Sequence, residues 1–207
     1  MDNRLFFPAT QRNRDCIGDV LSKIIKKNDS ILEIGSGSGE HGVVFQKRFP
    51  EIIWQTSDPD SLHRKSIISW IEYEKLKKKM PQPLELDVLN IPWEVPLILV
   101  NSLQGIVSIN LIHVAKWACT IALFKEAGKL LNSGQFLIFY GPFKIGNKHT
   151  SQSNYIFDNA LKMQNEFWWI RNLEEVTDEA KKNGFFQEDI IMMPANNFSI
   201  IYRKVYS

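Results

Sequence analysis

The chain has 207 residues, of which 44% are hydrophobic and 23% charged, the composition of a globular domain long enough to bury a substantial core. Its 25 basic and 23 acidic residues leave a net charge of +2, so the overall balance gives no argument for nucleic acid or an anionic membrane surface as partner. Two distant cysteines, Cys16 and Cys119, exclude a disulfide framework and a paired-cysteine motif, and no run approaches the roughly 20 apolar residues of a membrane span.

In chain order, Ile17, Val20, Leu21, Ile24 and Ile25 follow helical spacing behind Asp15, a suitable N-cap. "SILEI" at 30–34 is a short buried strand that breaks into "GSGSG", and a helix resumes from Glu40 to Arg48. "IIWQTS" at 52–57 is the second strand, followed by an amphipathic helix over 61–79 whose basic end, "KLKKK", is a solvated face. "LELDV" at 84–88 is a third strand and "GIVSIN" at 105–110 a fourth. A helix over 115–131 stops at "NSG", and "QFLIFY" at 135–140 is the fifth strand. Helices near 153–164 and 173–183 precede two antiparallel strands joined by "PANN". The N-terminal stretch carries no signal-peptide pattern, so a cytoplasmic protein in a reducing compartment is expected.

Strands alternating with helices imply an α/β chain, a single domain over 1–207, with a mostly parallel seven-stranded Rossmann-like sheet, a C-terminal antiparallel hairpin and helices on both faces. In such sheets ligands sit beyond the C-terminal strand ends. That edge carries Gly35–Gly39, Asp58, Asp87, Asn110 with His113, and Tyr140 with Gly141.

Glycines in a strand-to-helix turn let backbone approach a ligand closely. A dinucleotide turn spaces its glycines G-x-G-x-x-G to seat a pyrophosphate, whereas Gly35, Gly37 and Gly39 stand at every second position. An acid at the end of the second strand, Asp58, can accept ribose hydroxyls, and Asp87 at the end of the third can accept an adenine amino group. Glu33 either holds a ligand's ammonium or orients the loop. Ser36 lies within the loop, and His41 opens the next helix and can face the ligand.

At this point the residues resemble a known group. "LEIGSGSGEHG", "TSDPD", "LELDV" and "LLNSGQFLIFYGPF" are similar to the landmarks of class I adenosylmethionine-dependent methyltransferases. "PATQRNRD", "SINLIHVAKW", "YGPFKIGNKHTSQSN" and "MPANNFS" extend the resemblance nearly end to end, to the methyltransferase-like protein 26 family. It implies S-adenosyl-L-methionine as cofactor at Gly35, Gly37, Asp58 and Asp87, and supplies neither a substrate nor a catalytic residue.

On the acceptor side, His113 is the candidate base, because imidazole titrates near neutral pH, and Asn110 is its neighbour, also a candidate cofactor contact. Arg12, Arg14, Tyr140, His149 and Asn196 are candidate substrate groups. Each has a plain structural alternative as a cap, turn or surface residue. No ligand-type spacing links His41, His63, His113 and His149, so no metal is expected. The methyl acceptor is unknown, a small molecule or an exposed side chain, and monomer and homodimer both stay open. Two other functions remain. One is a cofactor-binding or partner-binding module without turnover. The other is a nicotinamide-dependent oxidoreductase, which the glycine spacing and the lack of a Tyr-x-x-x-Lys pair disfavour.

Overall fold

The computed structural model describes residues 2–205. The chain divides into two compact units, Met1–Ser108 and Ile109–Ser207.

The first unit begins with α1 (Pro8–Leu21), followed by β1 (Ser30–Ile34), α2 (Glu40–Arg48), β2 (Ile53–Ser57), α3 (Ser61–Tyr73), α4 (Leu97–Val100) and β3 (Leu103–Ile109). β1 is buried along its whole length and pairs in parallel with β2 on one side and β3 on the other, Glu33 standing beside Thr56 and Val107. A strand covered on both faces reads as a near-continuous apolar run, which is why "SILEI" was legible.

Three expectations need correction here. The first helix starts at Pro8, with Phe7 at the N-cap and no side-chain cap. Proline is favoured at that position because its missing N–H has no intrahelical partner there. Asp15 therefore lies mid-helix, and Ile24 and Ile25 lie in the turn beyond Leu21. α3 ends at Tyr73, six residues short of the expected end, because Lys75 takes a left-handed φ of 59°. The Leu76 N–H then donates to Ile71 O and the Lys75 N–H to Glu72 O, a Schellman ending in which lysine occupies the usual glycine site. Finally, 84–88 is not a strand. Leu84 makes one bridge to Ser57, preceded by prolines 81 and 83 that lack N–H donors, and the chain then turns at Asp87, whose carboxylate accepts from the Leu89 N–H at 2.9 Å.

The second unit contains α5 (Trp117–Leu130), β4 (Phe136–Gly141), the two-residue strands β5 (Lys144–Ile145) and β6 (Lys148–His149), α6 (Gln152–Gln164), α7 (Leu173–Lys182), β7 (Phe185–Met193) and β8 (Asn197–Lys204). β8 runs antiparallel to both β4 and β7, so the C-terminal hairpin is present as expected. Phe124, Phe139, Phe185 and Tyr202 form its aromatic core, with Phe124 centroids 5.3 to 6.1 Å from the other three. The α/β class stands. The six longer strands fall three to each unit, the expected seventh being the bridged segment at Leu84. No helix among the described residues is long and apolar enough to cross a membrane.

Candidate functional site

The glycine turn leaves β1 with Gly35, Gly37 and Gly39 all at positive φ. Ser36 stitches it to the end of β2: its N–H donates to Ser57 O at 2.9 Å and its hydroxyl accepts from the Ser57 N–H at 3.1 Å. Asp58, one residue beyond β2, completes the junction. Its Oδ2 accepts from the Gly37 N–H at 2.9 Å, and its Oδ1 accepts from the Asp60 N–H at 2.9 Å and from His63 Nδ1 at 3.0 Å. Asp60 is the N-cap of α3, accepting from the Leu62 N–H at 2.7 Å.

The N-terminal segment lies along this turn. Phe7 packs against Gly37, where a Cβ would stand 3.0 Å from its ring, and edge-on to His63 with centroids 5.8 Å apart. The Phe7 N–H donates to Glu40 Oε2 at 2.7 Å, and Ser66 Oγ accepts from the Leu5 N–H while donating to Ser38 O. Phe7 belongs to no motif that would mark it in the sequence.

A cleft of about 700 Å³ is lined among others by Pro59, Leu86, Asp87, Pro92, Trp93 and Glu94. A volume of that size suits a small-molecule ligand. Asp87 is half-buried at its wall and also caps its own turn.

Glu33 is placed differently from the other acids. It is 2% exposed and turns beneath the loop, where Oε2 accepts from the Trp54 indole N–H at 2.9 Å. Burial pushes its carboxyl up to about 7, Trp54 and Ser36 opposing the rise and the Asp58 charge adding to it. An acid whose folded pKa exceeds its unfolded value near 4.5 stabilises the fold below that value and loses the contribution as pH rises through 7, up to about 3 kcal/mol. Urea unfolding at pH 5 and pH 7.5 should show this loss in the wild type and a flatter profile in Glu33→Gln. An equal slope in both would remove Glu33 as its source.

His41 is occupied within the fold. Its Nε2 lies 2.8 Å from Asn13 Oδ1, its ring stacks on Phe45, and burial followed by the charge of Arg14 lowers its pKa to about 3. Arg14 itself has a buried Nε with no hydrogen-bond partner, while Arg12 is exposed.

In the second unit Asn110 holds a left-handed φ of 56°, and its N–H donates to Tyr140 O at 2.8 Å. His113 is 4% exposed, and its Nδ1 has no hydrogen-bond partner. Gly141 leaves room for this ring: a Cβ there would lie 3.2 Å from His113 Nδ1 and 3.7 Å from Asn110 Oδ1. Phe157 meets the imidazole edge-on with centroids 5.8 Å apart. Burial, then the charge of Arg171, lowers the His113 pKa to about 4. His149 lies elsewhere, its Nε2 on the buried carboxylate of Asp158 at 2.9 Å together with Lys144 and Lys162. Asn196 is a left-handed hairpin residue whose carbonyl accepts from Asn154 Nδ2 at 2.9 Å. Thus the structure gathers Gly37, Ser36 and Asp58 at one junction, and Asn110, His113, Tyr140 and Gly141 at another. It places Glu33, His41, His149 and Asn196 in other networks. Among the described residues no group of three His, Cys, Asp or Glu side chains is arranged to hold a metal.

The fold is similar to that of solved methyltransferases. The structure of an O-methyltransferase family protein from Burkholderia thailandensis matches 96% of this chain with a TM-score of 0.77 at 12% identity, over 58% of its own length. Human N-acetylserotonin methyltransferase in complex with SAM matches 95% at a TM-score of 0.71 and 12% identity, over 53% of its length. A putative sarcosine dimethylglycine methyltransferase from Galdieria sulphuraria matches 98% at 0.73 and 12%, over 92% of its length. The chain therefore spans little more than half the length of the first two. By sequence it belongs to the family described as "Protein of unknown function (DUF938)", whose model matches residues 4–204.

Proposed function

We propose that this protein is an S-adenosyl-L-methionine-dependent methyltransferase of the methyltransferase-like protein 26 group, acting in the cytoplasm on a small molecule or an exposed side chain. The observation that carries the reading is the Asp58 carboxylate bonded to the Gly37 N–H: a strand-end acid fixed to a glycine turn, with Pro59, the next residue, at the wall of a cleft of ligand size. The donor set fits an adenosyl ligand without phosphates. Asp58 and Asp87 are acceptors suited to ribose hydroxyls and an adenine amino group, and Pro59, Leu86 and Trp93 give apolar walls.

When bound, the cofactor supplies an electrophilic sulfonium methyl. His113, neutral at physiological pH because of burial, is in the form that accepts a proton from the acceptor, and the edge-on Phe157 ring shields it. The depressed basicity of His113 also favours a second reading, a cofactor-binding module without turnover, since a base works best with a pKa near the operating pH.

Calorimetry with adenosylmethionine, adenosylhomocysteine and NADH tests the proposal. Saturable binding of the first two is expected, and NADH binding with no adenosylmethionine binding would sink it. Turnover is read by tracing labelled methyl groups in a cell extract. His113→Ala should lower incorporation about 100-fold or more if a base is required, and equal incorporation would remove His113 from the chemistry.

A further inference from the structure

We propose that Arg171 is the positioning residue for His113, a guanidinium buried to hold the 110–116 loop by its carbonyls. The inference rests on reading His113 as the proton acceptor. Arg171 is 0% exposed. Its Nε donates to Ile112 O at 2.9 Å, and its Nη2 donates to Ala115 O and to Phe167 O. Two of these carbonyls flank His113 in sequence, so one planar fork fixes the backbone on both sides of the imidazole. Trp169 backs the fork, its ring centroid 3.6 Å from the guanidinium carbon.

Stability alone is a poor reason for this arrangement. Nη1 is buried with no hydrogen-bond partner, and the hydrogen bonds found for the guanidinium go to carbonyls rather than to a carboxylate. A buried cation without such a partner is costly, and a local rule broken inside an otherwise consistent core marks a functional position. Lysine could not replace it, because a single ammonium is a point charge without the flat fork that reaches separate carbonyls.

The groups that face these two residues define the electrostatics. Around His113 stand the Phe157 ring, the Gly141 backbone and Asn110, with Arg171 as the charge that acts on it. Arg171 in turn feels Cys119, Glu175 and Asp158, and Asp158 is held by Lys144, His149 and Lys162. The cation therefore favours the neutral imidazole in addition to orienting it.

The test is a histidine-ring NMR titration of the full chain, with His113 assigned by comparison with His113→Gln among the four histidines. Wild-type His113 should stay neutral to about pH 4 and give one sharp resonance. In Arg171→Met the midpoint should rise by roughly one unit and the resonance should broaden or split. Arg171→Lys should keep the low midpoint but still lose the single ring orientation. His41 should titrate unchanged in both variants. A sharp His113 signal with an unmoved midpoint in folded variants overturns the proposal. Failure of both variants to fold, by circular dichroism, would make Arg171 a stability residue and overturn it equally. Labelled-methyl incorporation by the wild type decides the methyltransferase reading separately, since its failure leaves the His113 titration interpretable.

Discussion

Gly39→Ala is expected to cost about 2–5 kcal/mol of folding stability, combining a left-handed backbone penalty with overpacking. Gly39 is the N-cap of α2 with φ 88°. A Cβ there would stand 2.7 Å from Ile67 Cγ1 and 2.9 Å from the Ile67 Cα. The first contact is with a side chain in the core, and the second is with backbone of α3, which cannot rotate away. The glycine turn is thus a packing joint between α2 and α3 as well as a ligand loop. Gly134→Ala isolates the backbone part, because Gly134 has φ 81° with nothing within 4 Å of an added Cβ. That variant should lose only about 1–2 kcal/mol. Urea unfolding of both gives the answer, and equal losses would mean that the close approach to Ile67 relaxes freely.

What the sequence made legible follows from how local the cause is. β1, β4 and the tail hairpin carry their signal in apolar runs bounded by turn residues, and they are where the runs put them. α3 overran because its stop is made by Lys75, a residue with no reputation as a terminator; only the hydrogen bonds of Leu76 and Lys75 reveal it. "LELDV" has strand composition, and its Leu86 and Val88 are buried, but pairing stops after the bridge at Leu84 and the chain turns at Asp87. The site divides in the same way. Gly37 and Asp58 announce themselves by position at strand ends. Glu33 and His41 are polar residues on either side of the same glycine turn, and their direction is set by Trp54 and Asn13, which sequence spacing does not connect to them. Arg171 offered one clue, a charge inside the apolar run "WWIRNL", of which Ile170 and Leu173 are buried. What a buried charge holds is a tertiary fact.

Asp58→Ala is expected to weaken adenosylmethionine binding by about 10- to 150-fold, the loss of charge-assisted hydrogen bonds worth roughly 1.5–3 kcal/mol. The geometry says where in that range to look. A carboxylate offers about four lone-pair directions, and in Asp58 the Gly37 N–H, the Asp60 N–H and His63 use three. One direction on Oδ2 remains for a ribose hydroxyl, and a second becomes available only when His63 turns away from Oδ1. With Asp58 4% exposed and Phe7 resting on both Gly37 and His63, any such movement involves the N-terminal segment. Two companion variants separate the steps. His63→Ala frees Oδ1 and should tighten binding several-fold if His63 must leave, and Phe7→Ala should speed association if the ring must lift. Calorimetry and stopped-flow measurements on folded variants read both. Unchanged affinity in a folded Asp58→Ala would place the ribose elsewhere on the strand-end edge. A loss near 10-fold, with no gain from His63→Ala, would show a single hydrogen bond made while His63 stays in place.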